Sequence, residues 1–220
     1  AGSTEEAQEI VGVRIAEQVR EYLKNGVILN AVNVPAPSPE EYRNLRPYLL
    51  LAERLGAFVA QIAEGHLRTV RIAYSGKLAE MNTNLLRNAA LEGLLNRVLS
   101  EKANIVNAAS IAADRGIRIE ESRSPRVEFT DSVKVTLETD RTAVVAEGMV
   151  LYGSQPRLLA VDGIHVEAPL EGNLLFFKNE DVPGVIGRIG TLMGQRQVNI
   201  ANFSLGRDRP CSPALSLIHI

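Results

Sequence analysis

The chain has 220 residues, room for one or two domains and a sizeable core. Hydrophobic residues at 45% and charged residues at 23% exclude wholesale disorder. A balance of 24 Lys+Arg against 26 Asp+Glu, net −2, argues against a nucleic-acid-coating surface, though it leaves room for a local basic pocket. The single cysteine, Cys211, excludes a disulfide framework and a Cys-based zinc site. No apolar run approaches the roughly 20 residues that span a bilayer, and no signal-like leader is visible. A soluble, cytoplasmic protein without nucleic-acid or membrane partners is expected. The chain opens Ala1-Gly2-Ser3-Thr4 without an initiator Met and closes on an apolar run, so a piece cut at both ends is expected.

Ser3 or Thr4 before Glu5-Glu6 is an N-cap with an acidic first turn. Ile10, Val11, Val13, Ile15, Val19, Tyr22 and Leu23 then supply an apolar side at helical spacing, and Asn25-Gly26 ends the helix. The prolines Pro35, Pro37 and Pro39 mark a linker and a domain boundary. Ser38-Pro39-Glu40-Glu41 restarts a helix, and a second helical run is predicted over 47–62. Further along, strands are expected over 67–74, 105–107 and 117–120, with helices over 82–99 and 108–115. Three β-rich runs follow over 126–139, 143–152 and 158–166, and two of the turns, Gly153 to Pro156 and Asp162-Gly163, contain Gly or Pro. Early helices and late strands define an α+β class with a largely antiparallel sheet. Ala168 to Gly172 reads as a second junction. Beyond it, a strand over 173–179, a helix over 183–196 and a strand over 198–205 form a β-α-β unit.

The spacings alone reveal no catalytic constellation. Gly184, Gly187 and Gly190 recur every third residue, whereas a dinucleotide fingerprint requires G-x-G-x-x-G. Close backbone packing or a small-ligand mouth at a helix N-terminus suits the series better. His66, His165 and His219 sit in separate elements without a second ligand at metal spacing. Ser122 and Ser124 lack a nucleophile elbow. Arg115, Arg118, Arg123 and Arg126, around the Gly116 turn, form a candidate anion site, because guanidinium forks suit phosphate. The alternative for these arginines is a solvated strand face.

Three stretches carry a resemblance. Ser3-Thr-Glu-Glu-Ala-Gln8 with Asn30-Ala-Val-Asn-Val-Pro35 resembles the end of the catalytic part of the D-3-phosphoglycerate dehydrogenase family. The run from Ile105 to Ile117 looks like the intervening domain of that family's long form. Leu174 to Gly190, with Val198-Asn-Ile200, resembles the start of an ACT regulatory domain. The family usually carries Gly-Ala-Ser-Thr where this chain has Ala1-Gly2-Ser3-Thr4.

The resemblance implies three segments: 1–35, the end of the catalytic and substrate-binding region; 36–168, the intervening domain; and 169–220, a truncated ferredoxin-like ACT domain. It implies a parent enzyme that oxidises 3-phosphoglycerate with NAD, the first committed step of L-serine biosynthesis. The Rossmann domain and the catalytic Arg, Glu and His would lie upstream, the His just before Ala1, so this chain is expected to be inactive alone and to bind no NAD. The resemblance further implies L-serine as effector, contacted by Asn179, Asp181 and Asn199, and self-association through the ACT and intervening domains. Leu215 to Ile220 has two readings, a third ACT strand or a translated transposon end from a sequencing library. The second is favoured, so His219 carries no functional weight. Two rivals remain: a stand-alone amino-acid-sensing or assembly protein, and another 2-hydroxyacid dehydrogenase.

Overall fold

The computed structural model describes residues 4–25, 39–124, 131–180, 182–208 and 213–220. Pro35, Pro37, Arg126, Asp181 and Cys211 therefore lie outside the described residues. The chain divides into two compact units, Ala1–Arg46 and Pro47–Ile220.

The first unit holds helix α1 (Glu5–Asn25). Its Ile10, Val11, Val13, Ile15, Val19 and Leu23 are each half or more exposed. Helix α2 (Pro39–Ile62) begins in this unit and is one helix where two runs were expected, with Pro47 inside it. Proline removes one ladder bond from a helix interior at a cost of about 3 kcal/mol. The residues that follow offset that cost, because Leu51, Ala52, Leu55 and Val59 are fully buried. Complete burial of a leucine contributes about 1.5–3 kcal/mol.

In the second unit, β1 (Leu67–Ser75) is the hinge of the architecture. Val70, Ile72 and Tyr74 alternate along it and are fully buried, the period-two pattern of a covered strand face. From β1 the chain passes through a 3-10 turn (Gly76–Glu80), helix α3 (Asn84–Val98) and helix α4 (Ala108–Asp114). It returns as β2 (Arg118–Ser124), parallel to β1. A parallel neighbour requires such a crossover, and helices supply it. The expected strand over 105–107 is instead a turn held by asparagines. The Asn104 carboxamide oxygen accepts from the Val106 and Asn107 amides, and Asn107 Oδ1 accepts from the Asn104 amide at 2.6 Å. Side-chain bonding of this kind competes with strand pairing and wins here.

The remainder is an antiparallel meander: β3 (Ser132–Thr139), β4 (Ala143–Leu151), β5 (Gln155–Val161) and β6 (Ile164–Pro169). The six-stranded sheet has the order β2-β1-β3-β4-β5-β6, so the fold is α+β with a largely antiparallel sheet, as expected. Helix α3 is buried on most of its circumference, through Leu85, Leu86, Ala89, Ala90, Leu91, Leu94 and Leu95.

A second sheet follows. It contains β7 (Leu174–Glu180), helix α5 (Val185–Gln195), β8 (Asn202–Arg207) and β9 (Pro213–His219). The order is β7-β9-β8, with β9 antiparallel to both neighbours. Strands β7 and β8 are therefore parallel and separated by β9, a split β-α-β arrangement. The closing Leu215–His219 stretch lies in strand β9, and Leu217 and Ile218 are fully buried. Helix α5 starts at Val185 behind Gly184 (φ +88°), two residues later than the expected Pro183, and β8 starts at Asn202, not Val198. The two sheets meet where the Ser204 hydroxyl donates to the Glu167 carbonyl at 2.6 Å.

Candidate functional site

The split β-α-β unit places two of the three expected effector residues. Asn179 is the penultimate residue of β7, opposite Ala214 of β9. Its carboxamide is fixed at both ends: Nδ2 donates to the Glu180 carbonyl and Oδ1 accepts from the buried Ser216 hydroxyl, each at 2.9 Å. Asn199 lies two residues after Gln197, whose φ is +57°, and is exposed in the segment entering β8. Asp181, the third expected residue, is outside the described residues. In the sequence between Asn179 and Asn199, the first turn of α5 presents the Val185, Ile186 and Gly187 amides ahead of any intrahelical acceptor. Such amides, with the positive end of the helix dipole, favour an anionic group.

The glycine series behaves differently from the close-packing expectation. A Cβ on Gly184, Gly187, Gly190 or Gly194 would meet nothing within 4 Å. Ile186 and Leu192 on the same helix are more than half exposed. No residue of the series has the dinucleotide spacing, so none is assigned to NAD.

The arginines expected to hold an anion do not converge. Arg115 lies beyond the end of α4 and reaches Glu101 at 3.8 Å. Arg118 opens β2 opposite Thr69, while Arg123 sits near its other end opposite Tyr74. Five residues along a strand put them on opposite faces and about 17 Å apart. Arg126 is outside the described residues.

Arg123 belongs instead to a network that spacing did not reveal. Its guanidinium donates to Thr83 Oγ1 at 2.6 Å, and the Tyr74 hydroxyl donates to Glu121 Oε1 at 2.9 Å. Arg87 Nη1 reaches the other Glu121 oxygen at 3.3 Å, and Arg87 Nε donates to Asn88 Oδ1. Burial first, then the Glu121 charge, pushes the Tyr74 phenol well above its ordinary range. The group locks α3 onto the carboxyl ends of the parallel β1 and β2. No sequence signal marks it, because Tyr74 reads as one more apolar residue of β1.

The histidines stay apart. His66 shares two bonds with Asp140: its backbone amide donates to Oδ1 at 2.7 Å, and Nδ1 lies 3.1 Å from Oδ2. Those bonds, backbone first, hold the Asp140 carboxyl below its usual range. Among the described residues no three His, Cys, Asp or Glu side chains gather as a metal site, and no helix is long and apolar enough to cross a membrane.

By class, the protein is an α+β chain with a meander sheet joined to a split β-α-β unit. Comparison with known proteins makes this particular. The family profile described as the D-3-phosphoglycerate dehydrogenase intervening domain matches residues 44–162, more than half of the chain. The chain belongs to that family. It is 37% identical over 218 residues to a D-3-phosphoglycerate dehydrogenase of Methanocaldococcus jannaschii, covering 99% of this chain and 41% of that protein. Proteins of the same name from Archaeoglobus fulgidus and Synechocystis are 38% and 40% identical, with 99% and 93% of this chain covered. They are themselves covered over 42% and 37% of their length, so the chain spans about two fifths of these curated relatives.

Proposed function

We propose that the chain is the C-terminal regulatory and assembly part of an NAD-dependent D-3-phosphoglycerate dehydrogenase. The whole enzyme would oxidise 3-phosphoglycerate to 3-phosphohydroxypyruvate in the cytoplasm, as the first step of L-serine biosynthesis. In this reading residues 1–35 end the catalytic region, 36–168 form the intervening domain, and 169–220 begin an ACT domain. NAD would supply the hydride acceptor and binds on residues outside this chain. By itself the chain has no dehydrogenase activity.

The observation that carries the reading is the near-complete alignment of the chain to proteins more than twice its length. The split β-α-β unit supports the ACT assignment, since a β-α-β-β order opens the ferredoxin-like fold. L-Serine is the proposed effector. Its carboxylate faces the α5 amides, Asp181 accepts its ammonium, and the carboxamides of Asn179 and Asn199 bracket the hydroxyl. Two subunits contribute to that site, so self-association accompanies binding. Recovering the gene upstream of Ala1 tests the reading: a G-x-G-x-x-G strand-helix unit and a histidine immediately before Ala1 are expected. An unrelated upstream sequence would favour a stand-alone sensor.

A further inference from the structure

A groove of about 540 Å³ runs along α2 on the side facing the connection between the two sheets. Leu50, Phe58 and Ile62 of α2 form one apolar wall, and Leu170, Leu174 and Phe176 form the other. Phe58 and Phe176 meet edge to face, with centroids 5.5 Å apart and planes at 82°. Arg54 closes the base: Nη1 donates to the Leu170 carbonyl at 2.6 Å and lies 3.9 Å from the Glu171 carboxylate. The volume is that of a small-molecule site, and the apolar walls share the lining with polar groups, Glu53, Arg54, Gln61, Arg97, Glu171 and Asn173.

Two lining charges have no such use. Glu53 and Arg97 are both exposed, and neither makes a hydrogen bond or ion pair among the described residues. They are close in register, because Gly93 lies against the Glu53 carbonyl and Arg97 is one helical turn further along α3, about 6 Å. Glu92, the neighbour of Gly93, also has no partner among the described residues. Burial first, then the Glu53 charge, raises its carboxyl to about 7. A cation placed at Glu53 relieves that repulsion, and an anion one turn away meets Arg97. Glu53 and Glu171 together repel a dianion, and Arg97 repels a simple amine.

We propose that this groove binds a zwitterionic α-amino acid with an apolar side chain. The ammonium pairs with Glu53, the carboxylate with Arg97, and the side chain lies against Phe58, Leu174 and Phe176. The site is separate from the one proposed for L-serine and does not depend on it: Leu174 and Asn179 are the two ends of β7, about 17 Å apart. A ligand in the groove touches α2 and β7 at once, so it ties the meander sheet to the second sheet.

Titration calorimetry of the 220-residue chain with L-leucine tests the proposal. Saturable binding is expected, weakened at least tenfold in Arg97→Ala and in Glu53→Ala, two substitutions at exposed side chains that leave the fold intact. L-Leucinamide and N-acetyl-L-leucine, each lacking one charge, are expected to bind at least tenfold more weakly than L-leucine. Asn199→Ala leaves the affinity unchanged. Absence of saturation up to about 50 mM, where any useful site would fill, overturns the proposal. Undiminished binding in both variants, or by either derivative, overturns it equally.

Discussion

A Cβ on Gly93 would lie 1.9 Å from the Glu53 carbonyl oxygen, and one on Gly56 would lie 2.0 Å from the carbonyl oxygen of Ala90. The two contacts are reciprocal and run in opposite register, so α2 and α3 cross antiparallel with their backbones touching. Both obstacles are backbone, which cannot rotate away. Helix propensity alone would favour alanine by about 1 kcal/mol at each position. Overpacking of a filled core costs typically 1–3 kcal/mol and more where backbone must move. Gly93→Ala and Gly56→Ala are each expected to lose about 2 kcal/mol net, read as a lower urea midpoint. A midpoint at or above that of the parent chain would show that the helices separate without cost.

Glu92 makes stability depend on pH. Its folded value of about 7 stands above the ordinary 4.5, so folding takes up a proton there. The stabilisation is fully present below the unfolded value and is lost as pH rises from about 4.5 through 7. A shift of one unit corresponds to 1.36 kcal/mol, but half exposure screens the group, so about 1 kcal/mol is expected. Glu92→Gln should flatten this part of the profile and raise stability at pH 8. Thermal melts across pH 4 to 8 check it; the same slope in both proteins would assign the dependence elsewhere.

Tyr74→Phe removes the donor to Glu121 and leaves a half-buried carboxylate with Arg87 as its remaining partner among the described residues. A loss of about 1–2 kcal/mol is expected in urea unfolding. The ring remains buried, so a loss above about 3 kcal/mol would mean that packing, not the hydrogen bond, was disturbed.

Hydrogen exchange should separate α1 from the sheet. The apolar residues of α1 are exposed, and a lone amphipathic helix is marginal in water. Amides over 5–24 are expected to exchange at least a hundredfold faster than those of β3 and β4. Equal protection would show that α1 is held as firmly as the core.

The meander was legible because β3 and β4 bury alternate residues, such as Val133, Val135 and Leu137, and Gly-containing turns separate the later strands. The continuity of α2 was not, since Pro47 is a local breaker and the burial that overrides it depends on strands far along the chain. The turn at 105–107 was hidden because Ile105 and Val106 look strand-like, while the asparagine bonds that bend the chain depend on conformation. The anion site misread proximity along the chain as proximity in space: β2 carries Arg118 and Arg123 to opposite faces. Arg54 and Leu170 are 116 residues apart, and only the fold brings them together. For the effector residues, two of three could be placed, and resemblance was the signal that named them.

Titration calorimetry on a protein carrying the complete ACT domain decides whether this segment senses L-serine. Serine binding is expected to weaken at least tenfold in Asp181→Ala and in Asn199→Ala, about 1.4 kcal/mol each. Serine affinity unchanged in both variants would place any serine site elsewhere.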